Sequence, residues 1–259
     1  MQTNEIIGVI APTGSGKSHE VTERIFRVTP CVAIYDPQAA RDMDYRMAAS
    51  HIVEYNLQEA RQVMAEDNFQ LLFRPIDPVP VGDEYKFEDF PAFIKMCYRR
   101  CELIGPMTLI VDEAHFTCSK RTMPYDLLKV TTMSRSVGLN VVWITQKFAG
   151  VNTWMRGNAH RYWIFRLASP GDLDIVSQVC GTEVADQVVG LRRLEKGEDG
   201  RAMPGELLIW SSLDGSTEII DLGKVKDERT GRTDNMEPSS DAAKGGPDSS
   251  DPERVQGER

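Results

Sequence analysis

The octapeptide Ala11-Pro12-Thr13-Gly14-Ser15-Gly16-Lys17-Ser18 lies between an apolar run, residues 5–11 (EIIGVIA), and a segment of helical character, residues 18–28. It fits the pattern G-x-x-x-x-G-K-[ST], with Ala11 in place of the first glycine. Gly14 and Gly16 tolerate positive φ and close backbone approach. Successive N–H groups and the helix N-terminus can then cradle phosphate oxygens. Lys17 is expected to reach the β- and γ-phosphates, and the Ser18 hydroxyl to ligate Mg²⁺. Pro12, Thr13, Gly14, Ser15, Gly16, Lys17 and Ser18 thus form an expected nucleotide cradle, with ATP and Mg²⁺ as its ligands.

Two further elements extend this reading. Met107-Thr-Leu-Ile-Val-Asp112-Glu113 is an apolar strand ending in two adjacent carboxylates. Asp112 suits the Mg²⁺ shell, and Glu113 suits a base that polarises a water attacking the γ-phosphate. A kinase needs no such glutamate, so the pair favours hydrolysis. Val141-Val-Trp-Ile-Thr145-Gln146 is a buried strand with a polar end. In a parallel sheet that end points to the rim carrying the phosphate loop. Gln146 could there contact both the γ-phosphate and the attacking water.

Further outward, strands are expected at residues 31–35, 69–73, 108–111, 141–145 and 162–167. Helices are expected at 18–28, 53–66, 88–104, 125–137 and onward from 173, where Ser169 and Pro170 read as N-cap and first helical position. Residues 75–85 read as a Pro-rich loop, and 207–210 with 218–220 as a closing hairpin around Asp214-Gly215. Alternating strands and helices imply an α/β fold, a mainly parallel central sheet with helices on both faces. From Lys224 to Arg259 there is no Phe, Tyr, Trp, Leu or Ile. Such a segment buries too little to offset its ordering entropy, so residues 224–259 are expected to be a disordered tail behind one domain, residues 1–223.

Composition narrows the function. No apolar run reaches the roughly 18–20 residues that span a bilayer, and no secretory signal is visible, so no integral membrane segment is expected. Five cysteines (Cys31, Cys97, Cys101, Cys118, Cys180) form no zinc-type pattern. They read as reduced, buried thiols of a cytoplasmic protein. The net charge of −9 argues against wholesale coating of nucleic acid. Yet residues 127–171 contain no Asp or Glu and carry Lys129, Arg135, Lys147, Arg156, Arg161 and Arg166. An anionic partner should meet the chain there. Lys147, Trp154, Arg156 and Arg161 are the candidate DNA contacts, with small residues between them suited to a mobile loop. The competing reading has these cations facing a neighbouring subunit and Trp154 in the core.

Taken in this order, the three elements resemble the FtsK–HerA superfamily of P-loop DNA-pumping ATPases. The resemblance covers about residues 6–176. It includes Ser134-Arg135, Gly138, the strand ending in Thr145-Gln146, Arg156-Gly-Asn158, and the strand flanked by Arg161 and Arg166. It implies a RecA-like domain of the additional-strand, catalytic-glutamate (ASCE) type. It also implies a hexameric or pentameric homo-oligomeric ring, Arg135 as an arginine finger acting on the neighbouring subunit, and Gln146 as the sensor. The sequence shows neither the added N-terminal barrel of the archaeal helicase members nor a membrane segment. A bare core looks most like viral genome-packaging ATPases, which implies double-stranded DNA and a capsid vertex or portal protein as partners. The alternatives are a Zot-like phage assembly factor, a conjugative DNA pump, or a nucleotide-dependent switch or scaffold with little turnover. Asp112-Glu113-Ala114-His115 also spells a helicase signature, but those helicases carry two motor domains. His115 is read as a supporting or interface residue.

Overall fold

The computed structural model describes residues 5–38, 43–81, 84–119, 123–133, 137–196, 202–203 and 205–224. Its strands are β1 (Ile6–Ile10), β2 (Cys31–Tyr35), β3 (His51–Glu54), β4 (Phe69–Arg74), β5 (Val79–Val81), β6 (Glu84–Lys86), β7 (Met107–Val111), β8 (Leu139–Thr145), β9 (Arg161–Phe165), β10 (Glu195–Lys196), β11 (Ala202–Met203), β12 (Glu206–Ser211) and β13 (Thr217–Asp221). The helices are α1 (Lys17–Val21), α2 (Met43–Ala48), α3 (Leu57–Val63), α4 (Phe90–Leu103), α5 (Ala114–Thr117), α6 (Tyr125–Met133), α7 (Thr153–Gly157), α8 (Pro170–Cys180) and α9 (Thr182–Gly190).

Nine strands make one sheet in the order β13-β12-β9-β1-β8-β7-β2-β4-β3. From β9 to β3 every pairing is parallel. The sheet is extended at one edge by β12, which runs antiparallel to β9 and forms a hairpin with β13. The hairpin turns at Asp214-Gly215: Gly215 has φ 71, and Asp214 Oδ1 accepts the Ser216 N–H at 3.0 Å.

The apolar residues of the inner strands divide by parity, as a sheet buried on both faces requires. Ile6, Ile10, Ala33, Tyr35, Val141 and Trp143 enter the core on one face, whereas Ile7, Val9, Val32, Ile34, Val142 and Ile144 enter the core on the other. Gly8 lies on the first face opposite Trp143 in the β1–β8 register, and the indole occupies the space that a side chain at residue 8 would take.

Two local expectations are corrected and a third, the first helix, is refined. Residues 53–66 do not form one helix. β3 runs through Glu54, Tyr55 adopts φ 61, and Asn56 caps α3 by accepting the N–H groups of Gln58 and Glu59. The Asx cap wins over continuation because it satisfies donors that a through-running helix would leave to the preceding turn. The Pro-rich loop at 75–85 contains the β5–β6 hairpin. The expected helix at 18–28 is the five-residue α1 followed by a π-type turn, Thr22–Phe26, closed by Arg27 N–H to Thr22 O at 2.9 Å. Residues 134–136, including Arg135, and residues 225–259 of the expected tail lie outside the described residues. Among the described residues no helix is long and apolar enough to cross a membrane.

Candidate nucleotide site

Three neighbouring strands, β1, β8 and β7, deliver the three sequence elements to one rim of the sheet. β8 stands between the other two, and the Ala11 N–H donates to Thr145 O at 3.0 Å, fixing the start of the phosphate loop to the end of β8. The loop turns through Ser15 N–H to Pro12 O at 3.3 Å. Gly14 (φ 75) and Gly16 (φ 84) are both left-handed, and Gly16 is the N-cap residue of α1. A Cβ at Gly14 would meet nothing within 4 Å, so the backbone conformation, not crowding, demands glycine. Ser15 Oγ is buried and has no hydrogen-bond partner among the described residues.

Lys17, Glu113, Gln146 and Thr13 form a chain of contacts. Lys17 Nζ lies 3.6 Å from Glu113 Oε1. The same carboxylate oxygen accepts from Gln146 Nε2, and Gln146 Oε1 accepts from the Thr13 hydroxyl. Glu113 itself has φ 47, an uncommon backbone state for a side chain of its size, and caps α5. That kink after β7 turns the carboxylate toward the loop, while Asp112 Oδ1 accepts the Glu113 N–H at 2.8 Å. On its other side Glu113 Oε2 faces His115 Nδ1 at 3.3 Å.

Asp112 and Asp36 are both buried. Burial pushes the Asp112 carboxyl well above the usual carboxylate range, the charge of Asp36 adds to this, and Lys17 opposes it. A buried pair of hard oxygen donors that repel each other suits a hard cation. Among the described residues no three His, Cys, Asp or Glu side chains cluster for metal binding. Such a cation would therefore need the Ser18 hydroxyl, phosphate oxygens and water to complete its shell.

Beside the phosphate loop lies a cavity of about 260 Å³, lined among others by Pro12, Ser15, Phe165, Leu167 and Leu194. Its far wall, residues 192–194, packs onto Gly205 so closely that a Cβ there would sit 2.8 Å from Leu194 N. Sequence reasoning missed this wall. Its one local sign is Gly205, just before β12.

The candidate DNA residues are not brought together. Lys147 is exposed at the same rim as Gln146, and Trp154 is 55% exposed. Arg156 is buried, with its guanidinium 5.7 Å over the Phe148 ring, and burial lowers its pKa. Arg161 begins β9 at the opposite end of the sheet and pairs with Glu5 at 3.0 Å. The expected mobile loop is a packed segment. Phe148, Val151 and Met155 are buried, Ala149 N–H donates to the buried Asp172 at 2.9 Å, and Ser119 bridges Val151.

A parallel sheet with a glycine loop after one strand, an acidic pair two strands away and a polar strand end between them is a P-loop NTPase-like fold. Its fold matches the genome packaging NTPase B204 from Sulfolobus turreted icosahedral virus 2 in complex with AMPPCP. The TM-score is 0.66 at 15% identity, over 83% of this chain and 96% of that one. B204, the DNA-packaging ATPase from Sulfolobus turreted icosahedral virus, gives 0.64 at 17% identity, over 85% and 98%. VirB4 of Thermoanaerobacter pseudethanolicus gives 0.52 at 11% identity, over 85% and 90%. The mainly parallel α/β architecture expected from the motifs is thus the fold shared with these structures. No protein-family model matches the sequence, and no curated protein matches it.

Proposed function

We propose that this chain is the subunit of an ATP-hydrolysing ring motor that translocates double-stranded DNA, packaging a viral genome. The observation that carries the hydrolytic part is the contact set of Lys17, Glu113, Gln146 and Thr13 at adjoining strand ends. Lys17 faces the Glu113 carboxylate at 3.6 Å. A triphosphate in the loop offers Lys17 a stronger anionic partner, releasing Glu113 to accept a proton from water, with Gln146 placed to feel both. The buried, unpartnered Ser15 Oγ and the left-handed glycines suit phosphate oxygens, and the apolar cavity bounded by Phe165, Leu167 and Leu194 suits a nucleobase. Ser18 and Asp112 would hold Mg²⁺, which screens phosphate charge when bound.

The DNA, ring and capsid parts rest on the fold likeness to packaging NTPases and on the acid-free stretch 127–171. With Arg156 and Arg161 engaged inside the chain, Lys147 and Trp154 are the side chains available to grip phosphates and bases without reading sequence. Arg135 completes the neighbour's site in this scheme.

Glu113→Gln tests the hydrolytic core. Nucleotide binding should persist while phosphate release falls by about a hundredfold or more. A variant retaining a tenth of wild-type turnover removes Glu113 as the base. Double-stranded DNA should stimulate the wild type. Lys147→Ala with Trp154→Ala should lose that stimulation and keep basal turnover. Basal loss with intact DNA affinity would assign the segment to a subunit interface.

A further inference from the structure

His115 has no task in the hydrolysis described above, yet its side chain is only 10% exposed and is held from several sides. Its Nδ1 lies 3.2 Å from Thr145 Oγ1 and 3.3 Å from Glu113 Oε2. The Thr145 hydroxyl is already engaged with the backbone two residues on. It donates to Lys147 O at 3.1 Å, which can only accept, and it receives the Lys147 N–H at 3.0 Å. What remains on Oγ1 is a lone pair, and an ionised carboxylate oxygen likewise only accepts. Both neighbours of Nδ1 are therefore acceptors, so Nδ1 carries the proton and the neutral ring leaves Nε2 bare. Burial lowers the His115 pKa, outweighing the opposite pull of Glu113, which keeps the ring neutral at ordinary pH.

The surroundings lock the ring in place. A Cβ at Gly150 would stand 3.0 Å from His115 Cβ and 3.7 Å from Lys147 Cβ, so the turn Phe148–Gly150 packs directly on the histidine. The Phe116 ring lies 4.2 Å from it, centroid to centroid. Glu113 is held unequally. Oε1 takes the contacts of Lys17 and Gln146, whereas Oε2 is buried without an aligned hydrogen bond and has Nδ1 beside it.

We propose that His115 is a positioning residue for Glu113, its Nδ1–H shared between the carboxylate and the Thr145–Lys147 turn. This rests on Glu113 being the base. One donor then serves both the group that polarises water and the start of the segment 147–161. A pull on that segment that draws Thr145 Oγ1 away hands the donor wholly to Glu113 Oε2. Oε1, relieved of Lys17 by bound triphosphate, is left to face the water. Engagement of a polyanion by Lys147 would thus be felt at the base through a single side chain.

The test compares His115→Asn, His115→Gln and His115→Leu in the full chain, with Glu113→Gln alongside. An Asn amide nitrogen falls where Nδ1 sits, a Gln amide nitrogen falls near Nε2, and Leu offers no donor. Steady-state ATPase and binding of a fluorescent ATP analogue are measured for each. The Asn variant should keep kcat within about threefold, and the Gln and Leu variants should lose about tenfold or more, with nucleotide Kd within about twofold throughout. Equal kcat in Asn and Gln variants, retention by Gln with loss by Asn, or a loss of nucleotide affinity in place of turnover would overturn the assignment. If the Leu variant does not fold, Asn against Gln still decides. If Glu113→Gln retains turnover, the base assignment has failed and His115 falls with it. If Glu113→Gln is inactive and the His115 series is flat, the His115 role alone is wrong.

Discussion

Gly8→Ala should destabilise this protein far more than a one-carbon change inside a strand normally does. A Cβ at residue 8 would lie 2.4 Å from Cζ2, 2.7 Å from Cη2 and 2.9 Å from Cε2 of Trp143. Ordinary carbon–carbon contact needs about 3.5–4.0 Å, so the indole must retreat by about 1 Å. It has no room to do so. Trp143 is fully buried, with Phe148 stacked at 6.0 Å and Tyr162 edge-on at 5.8 Å. Overpacking of this kind costs about 1–3 kcal/mol, and the backbone gain from replacing glycine in a strand returns only about 0.5–1 kcal/mol. The upper half of the range applies because three ring atoms clash and the partner is β8, which pairs directly with β1. At about 2–4 °C per kcal/mol for a chain of this size, the Tm should fall by roughly 3–8 °C. Thermal and urea melts of Gly8→Ala, Trp143→Phe and the double variant measure it. Phe removes the outer ring atoms, so the double variant should recover about 1 kcal/mol or more relative to the sum of the singles. An unchanged Tm, or strict additivity, would mean that the indole moves aside freely and that Gly8 is not placed by contact.

Arg135→Ala should bind nucleotide and hydrolyse it poorly. Mixing it with Glu113→Gln should restore part of the activity through interfaces that join an intact Glu113 to an intact Arg135; absence of rescue in mixed rings would assign the arginine to its own subunit. All five thiols are buried, and burial pushes Cys101 up to about 11 and Cys118 and Cys180 up to about 12. At pH 8 those three thiols stay protonated, and burial shields all five, so a colorimetric disulfide reagent should leave the native protein unmodified for minutes and titrate all five in denaturant; fast native labelling would contradict the packing. Removal of residues 224–259 should leave ATP turnover within about twofold, checked by phosphate release.

The parts of the site that depend on residue type at fixed spacing were legible before any coordinates. Gly14 and Gly16 take the left-handed φ that their type and spacing suggest, and Lys17, Glu113 and Gln146 meet as the polar ends of apolar strands predict. Pairings that depend on tertiary approach were not. Nothing in the spelling of residues 145–150 says that Thr145 has its hydroxyl engaged by Lys147 and so fixes the His115 tautomer. Nor does it say that Arg156 folds over Phe148 instead of facing outward. Charge counting treats all cations of the acid-free stretch alike, whereas burial and the distant partner Glu5 sort them. The β3–α3 boundary was misread because Val53 fits a helical period as well as a strand period. The deciding signal was the Asx cap at Asn56. The cavity beside the phosphate loop was invisible because its walls come from Pro12, Gly14, Ser15, residues 165–167 and residues 192–194, which only the assembled sheet brings together.

The place of β1 in the sheet sets the order in which the protein can be made. β1 precedes the other described strands in the chain, yet both of its partners come late: Ile6 pairs with Val141, and Ile7 with Val142 and Arg161. Until about residue 145 has emerged, the run Ile6–Ile10 has no neighbour on either side, and its β9 side stays open until about residue 165, while β2, β4 and β3 can already pair among themselves. Contacts of such sequence separation form slowly, and an unpaired apolar strand is a site for aggregation while it waits. Synthesis arrested between β7 and β8 should therefore yield nascent chains that bind holdase chaperones through β1. The phosphate loop, first in the sequence, is among the last features to take shape.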